Sequence, residues 1–152
     1  MIQIHYITID NFGPVKYFSE EVRPLTLFIG PQASGKSTIS KLIYYFRSIK
    51  DDLFKTILEA ENTENPHADF IRDLRSKFLG IFGTTKHMRR FKITYKYDTN
   101  ISIVLTLKQG YVYIEFSYEL KHLIGVTKIN SLRSQFLSVI YNLFERFRKV
   151  LF

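Results

Sequence analysis

The chain has 152 residues, 45% of them apolar, and no cysteine. That is the size of one ordinary domain with a sizeable core, and it excludes disulfides and thiolate metal sites. The formal charge of +8, from 22 Lys and Arg against 14 Asp and Glu, keeps polyanions among the candidate partners. No apolar run reaches membrane-spanning length, and Met1-Ile2-Gln3-Ile4-His5 lacks the basic start of a signal peptide, so a cytoplasmic protein is expected.

Alternation makes residues 2–9 a strand, with Ile2, Ile4, Tyr6 and Thr8 on one face and Gln3, His5, Ile7 and Ile9 on the other. Asp10-Asn11-Phe12-Gly13-Pro14 reads as a turn, and residues 15–22 as a second strand. Arg23-Pro24 leads into a third, Leu25-Thr26-Leu27-Phe28-Ile29, since proline suits a strand's first position. The loop Gly30-Pro31-Gln32-Ala33-Ser34-Gly35-Lys36-Ser37 follows. A helix then runs from Ser37 to about Ile49, its apolar stripe being Ile39, Leu42, Ile43, Phe46 and Ile49.

Asp51 or Asp52 is read as the cap of a second helix carrying Leu53, Phe54, Ile57 and Leu58. After a break over residues 62–65, Asn65-Pro66 opens a third helix with Phe70, Ile71, Leu74, Phe78 and Leu79, ended by Gly80 or Gly83. Residues 83–90 read as a mobile loop. Residues 91–97, 101–107 and 111–118 alternate and are joined by Asp98-Thr99-Asn100 and Lys108-Gln109-Gly110, which predicts an antiparallel three-stranded meander. Asn130 or Ser131 is expected to cap a long amphipathic helix to Phe152 through Leu132, Phe136, Ile140, Leu143, Phe147 and Val150. The expected organisation is one lobe over 1–152: strands, loop and first helix (1–49), a helical segment (50–83), the meander (91–118) and the last helix (130–152).

The loop spells G-x-x-x-x-G-K-S between an apolar strand pattern and a helical one. In that setting backbone N–H groups converge on a nucleotide's phosphates, and the helix N-terminus adds partial positive charge. Lys36 would reach the β- and γ-phosphates, and the Ser37 hydroxyl would ligate Mg²⁺. The same string also suits an ordinary glycine turn ahead of a surface helix. Together, Ile7-Thr8-Ile9-Asp10-Asn11-Phe12-Gly13-Pro14-Val15 and the stretch from Pro24 to Thr38 resemble the opening of ATP-binding-cassette-type AAA-family ATPases of the RecF/SMC-like kind. That group includes the ATPase halves of bacterial defence and overcoming-lysogenization-defect nucleases. The resemblance covers about residues 2–46 and is only architectural beyond Asp51.

The resemblance implies an α/β fold of the P-loop type with a mixed sheet, ATP and Mg²⁺ as ligands, and phosphate binding by Gly30 through Thr38. It also places the turn at Asn11 and Phe12 near the adenosine end, although a buried turn anchor explains Phe12 equally well. Gln32 stands where such proteins usually carry Asn. Hydrolysis in this group uses an acidic pair after a second buried parallel strand, a Ser-Gly-Gly-type signature loop and a switch His. No Ser-Gly-Gly occurs. Glu115 follows four residues of apolar type, yet its segment alternates as a meander strand. His5, His67, His87 and His122 fall in a strand, a helix start, a loop and a strand exit, and none has a partner at metal-ligand spacing.

Without a returning parallel strand, and with no Gly or Pro closing the last helix, the expectation is an incomplete ATPase fold. It would work with a second ATPase module or a missing C-terminal part. A compact nucleotide-binding protein is the alternative. From Arg72 to Lys96 the chain carries eight basic residues (Arg72, Arg75, Lys77, Lys86, Arg89, Arg90, Lys92, Lys96) and one acid, Asp73. This is either a solvated basic face or a nucleic-acid contact. A GTPase would show Asn-Lys-x-Asp, which is absent.

Overall fold

The computed structural model describes residues 4–59 and 65–126. The first two strands, β1 (His5–Phe12) and β2 (Val15–Val22), form a hairpin whose register runs from His5↔Val22 to Phe12↔Val15. The turn is therefore only Gly13-Pro14, shorter than the sequence suggests, because Asp10 still pairs with Tyr17. Asn11 takes a positive φ of 54°, which a short polar side chain tolerates. That reverses the alternation, so Phe12 points into the core although it follows Ile9 by three residues rather than two.

A single helix, α1 (Lys36–Glu59), replaces the two expected over this stretch. Asp51 and Asp52 are interior rather than caps. No Gly or Pro interrupts the chain there, and the buried stripe of Ile39, Leu42, Phe46 and Ile49 continues in step to Leu53. Asp52 instead binds Lys77 Nζ at 2.5 Å. Lys77 belongs to α2 (Pro66–Phe82), where the predicted cap forms: Asn65 Oδ1 accepts from the Ala68 N–H at 3.2 Å. Gly83 ends this helix, its N–H bonding the Leu79 carbonyl at 2.8 Å.

The meander is β3 (Lys92–Lys96), β4 (Ser102–Lys108) and β5 (Tyr111–Phe116). Asp98 Oδ1 closes its first turn by accepting from the N–H groups of Asn100 and Ile101. The second turn has Gln109 and Gly110 at φ 53° and 76°, the two positive values that a two-residue hairpin matched to strand twist requires. A short helix, α3 (Tyr118–Val126), follows where the last strand was expected to extend.

All five strands join one sheet in the order β2-β1-β3-β4-β5, and every pair is antiparallel. The fold is thus mixed α/β, but the expected mixed sheet is not found: among the described residues there is no parallel pair. Helices α1 and α2 cover one face. Phe46 stacks on Tyr95 at 4.8 Å, Phe12 meets Phe78 at 5.7 Å, and Phe70 lies 5.6 Å from Phe116. Ile7, Ile9, Ile93, Ile103 and Leu105 fill the layer between them. The helix predicted from Asn130 or Ser131 lies outside the described residues. So do the start of the first strand and the Asn62 break; the side chains of Ile57 and Leu58 are likewise not described.

Candidate functional site

The chain leaves β2 at Val22 and runs irregularly until α1 begins. The expected strand over residues 25–29 does not form. Its alternation is present, with Phe28 turned in against Phe18 at 6.0 Å, but Leu25, Leu27 and Ile29 are 89%, 79% and 86% exposed. A strand exists only by its ladder, and no described strand lies beside this one. Polar contacts hold the segment beside the packing of Phe28. Arg47 of α1 donates to the Arg23 carbonyl at 2.8 Å, and Thr26 Oγ1 donates to the same carbonyl at 3.3 Å.

Residues 30–35 then curl into a loop closed by Lys36. The Lys36 ammonium donates to the Gly30 carbonyl at 2.7 Å, to the Pro31 carbonyl, and to Ser34 Oγ at 3.2 Å. Ala33 and Gly35 hold φ values of 60° and 93°. The Gly35 carbonyl accepts the first helical hydrogen bond, from Ile39 N–H at 2.9 Å. Gly35 is seated on the β1–β2 turn so closely that an added Cβ would stand 2.6 Å from Val15 Cγ2. Gly30, Pro31 and Ser34 are thereby drawn to Lys36 at the N-terminus of α1.

The electrostatics of this end are one-sided. The first N–H groups of a helix lack intrahelical partners and carry partial positive charge, and the first turn of α1 contains no acid to offset it. Lys36 adds a full charge satisfied by neutral oxygens alone among the described residues. Ser37 is exposed and Thr38 half-buried at the helix start. The arrangement can exchange the carbonyl and hydroxyl partners of one ammonium for the oxygens of an anion.

Other candidates are dispersed. Phe12 is 1% exposed and ringed by Phe78, Phe82 and Phe91, with centroids at 5.7, 5.1 and 5.0 Å. It is a core anchor, not a residue open to a base. Glu115 is exposed on β5, at the sheet edge opposite β2, away from Lys36. His5 is buried and shares a 2.8 Å hydrogen bond with the Tyr95 hydroxyl. Burial, then the Lys121 charge, holds His67 below its ordinary pKa. His122 lies in α3 rather than at a strand exit. Among the described residues no three His, Asp or Glu converge as a metal site.

The basic stretch from Arg72 to Lys96 is not one face. Arg72 bonds Asp69 at 2.8 Å and lies 3.8 Å from Asp73, and Lys77 bonds Asp52. Arg75 donates to the Val112 carbonyl at 2.8 Å, its guanidinium 4.3 Å from the Tyr111 ring centre. Sequence reasoning also missed the support of the loop by Val15 and the tether from Arg47.

No helix among the described residues is long and apolar enough to cross a membrane. The AAA ATPase domain family matches residues 2–149 of the chain. No curated protein and no solved structure matches it.

Proposed function

Because the chain belongs to the AAA ATPase domain family, we propose that it is an ATP-binding module of the RecF/SMC-like kind, taking ATP and Mg²⁺ at Gly30 through Thr38. The observation that carries this is the state of Lys36, a cation folded into its own loop on Gly30, Pro31 and Ser34 with no carboxylate partner among the described residues. Phosphate oxygens are stronger acceptors for an ammonium than carbonyls, since a charged acceptor roughly doubles the strength of a hydrogen bond. The N–H groups of the first turn of α1, which a helix leaves without intrahelical partners, supply the remaining donors. The exposed Ser37 hydroxyl fits a hard cation that takes its other ligands from phosphate and water. When bound, Mg²⁺ supplies charge neutralisation at the phosphate tail.

In this reading hydrolysis depends on a second module or further chain. Glu115, the acid that most resembles a catalytic one in sequence, stands on the far edge of the sheet. The exposed ridge of Leu25, Leu27 and Ile29 supports such a partner, because a segment with an apolar face and no ladder among the described residues suits strand addition. The test is retention on immobilised ATP. Wild-type protein should be retained in the presence of Mg²⁺ and Lys36→Ala should pass through. Equal retention of both would defeat the assignment.

A further inference from the structure

We propose that Arg47 is a positioning residue of the phosphate loop: from about three turns along α1 it clasps the Arg23 carbonyl, and so fixes the segment that delivers Gly30 through Lys36. The ligand of the loop is taken from the ATP-binding reading above; the clasp stands on geometry alone.

The segment needs a clasp because it has no ladder. Residues 24–35 join β2 to α1 outside any described strand, and Phe28 is the side chain that turns in, against Phe18. Lys36 closes the loop at the helix start, but in the ATP-binding reading Lys36 gives up its contacts to the ligand. Arg47 ties the other end. A terminal nitrogen of its guanidinium donates to the Arg23 carbonyl at 2.8 Å, and Thr26 Oγ1 donates to the same oxygen at 3.3 Å, so both acceptor sites of that carbonyl are used. The Arg23 side chain goes the other way, to Glu21 of β2 at 3.1 Å. Pro24 then keeps Arg23 out of helical geometry and offers no N–H of its own. Arg23 is the corner at which the strand ends, and the segment beyond it is fastened to one helix at two points about 16 Å apart, Arg47 and Lys36.

The clasp is itself anchored. Arg47 Nε is buried, so the guanidinium is lodged in the structure, although no described acceptor meets that nitrogen. Beside it stands Tyr95 of the central strand, whose ring stacks on that of Phe46 at 4.8 Å and 12°. The Tyr95 hydroxyl shares a 2.8 Å hydrogen bond with His5 of β1. Burial pushes that hydroxyl up to about 12, and the neighbouring Arg47 charge works against the rise. No carboxylate stands within ion-pair distance of Arg47 among the described residues. A planar head that reaches a carbonyl while lying beside a phenol is work for arginine; a lysine ammonium would hold the carbonyl only as a flexible point. Arg47 thus keeps the empty loop near its binding shape, and any fraction of chains released from the clasp weakens the apparent affinity in proportion.

The experiment uses the full chain in two arms, with circular dichroism to check that each variant is folded. In calorimetric titration with ATP and Mg²⁺, Arg47→Ala should bind about tenfold more weakly than wild type, the loss expected for one hydrogen bond from a charged donor, and Arg47→Lys should recover part of it. In pulsed electron paramagnetic resonance, nitroxides are attached at Leu27→Cys and Tyr44→Cys, two exposed positions in a chain that has no cysteine of its own. The distance distribution should be narrow with Arg47 in place and broad in Arg47→Ala, and ATP with Mg²⁺ should narrow the latter again. Lys77→Met breaks the ion pair with Asp52 elsewhere on α1. It controls for a general loss of stability and should leave both readouts at the wild-type value. A narrow distribution in folded Arg47→Ala overturns the proposal, as does equal ATP affinity of Arg47→Ala and a wild type that binds. A wild type that binds no ATP defeats the nucleotide reading instead, and the distance arm then decides the clasp.

Discussion

Gly35 and Val15 are twenty positions apart in sequence and in contact in the fold: a Cβ on Gly35 would lie 2.6 Å from Val15 Cγ2. Gly35 also holds φ at 93°, a value that L side chains rarely adopt. Gly35→Ala therefore meets two costs at once, each roughly 1–3 kcal/mol. The melting temperature of the variant should fall and its retention on ATP should be lost. Adding Val15→Ala removes the clash but not the backbone strain, so it should recover part of the stability. Full recovery would show that the φ value contributes nothing.

Phe12 separates a core role from a nucleotide role. With its ring held by Phe78, Phe82 and Phe91, Phe12→Ala should destabilise the chain by about 3–5 kcal/mol in chemical denaturation. Phe12→Leu refills most of the space and should keep ATP retention close to wild type. A folded Phe12→Leu chain that no longer binds ATP would mean that the aromatic ring serves the ligand.

The buried tyrosines predict an alkaline limit to stability. Burial pushes the Tyr95 hydroxyl up to about 12, and Tyr45 and Tyr97 are raised in the same direction. Tyr97 donates to the Phe46 carbonyl at 2.6 Å and Tyr45 to that of Leu74 at 3.1 Å, bonds that need the neutral phenol. A raised folded-state pKa favours the protonated form, so this stability is complete below the unfolded value of 10.0 and is lost as pH climbs towards about 12. Tyrosinate absorbance should rise together with the loss of circular dichroism across that window. Ionisation of all ten tyrosines well below it would contradict the burial.

The ridge of Leu25, Leu27 and Ile29 contributes apolar area to solvent rather than to the core. Replacing all three by Ser should shift stability by less than about 0.5 kcal/mol per site, while lowering the fluorescence of a bound apolar dye. A large drop in melting temperature would mean that these residues are buried in solution.

Much of this fold was legible because its cues are local. Asn65-Pro66 carries its own cap, Asp98 its own turn, and Lys108-Gln109-Gly110 its own hairpin. The misreadings arose where a local cue met a longer-range fact. Asp51 and Asp52 look like caps, but Lys77 from another helix holds Asp52 in place. Leu25 through Ile29 alternates like a strand, but no ladder partner stands beside it among the described residues. Phe116-Ser117-Tyr118 read as a strand end, although the Ser117 carbonyl accepts from the Lys121 N–H and opens α3. Pairing of β1 with β3, 82 to 90 residues apart in register, has no local signature. For the loop, spacing singled out residues 30–38 as the candidate; that Lys36 turns back on Gly30, Pro31 and Ser34, and that Gly35 sits against Val15, emerged only from the structure.

The central claim is that the Lys36 ammonium exchanges its own loop for a triphosphate. Calorimetric titration of the full chain with ATP and Mg²⁺, wild type against Lys36→Ala, tests it most directly. One saturable site in the wild type, weakened at least about tenfold by losing one charge-assisted contact, is the predicted result. Equal affinity in the two proteins, with both folded, would contradict it.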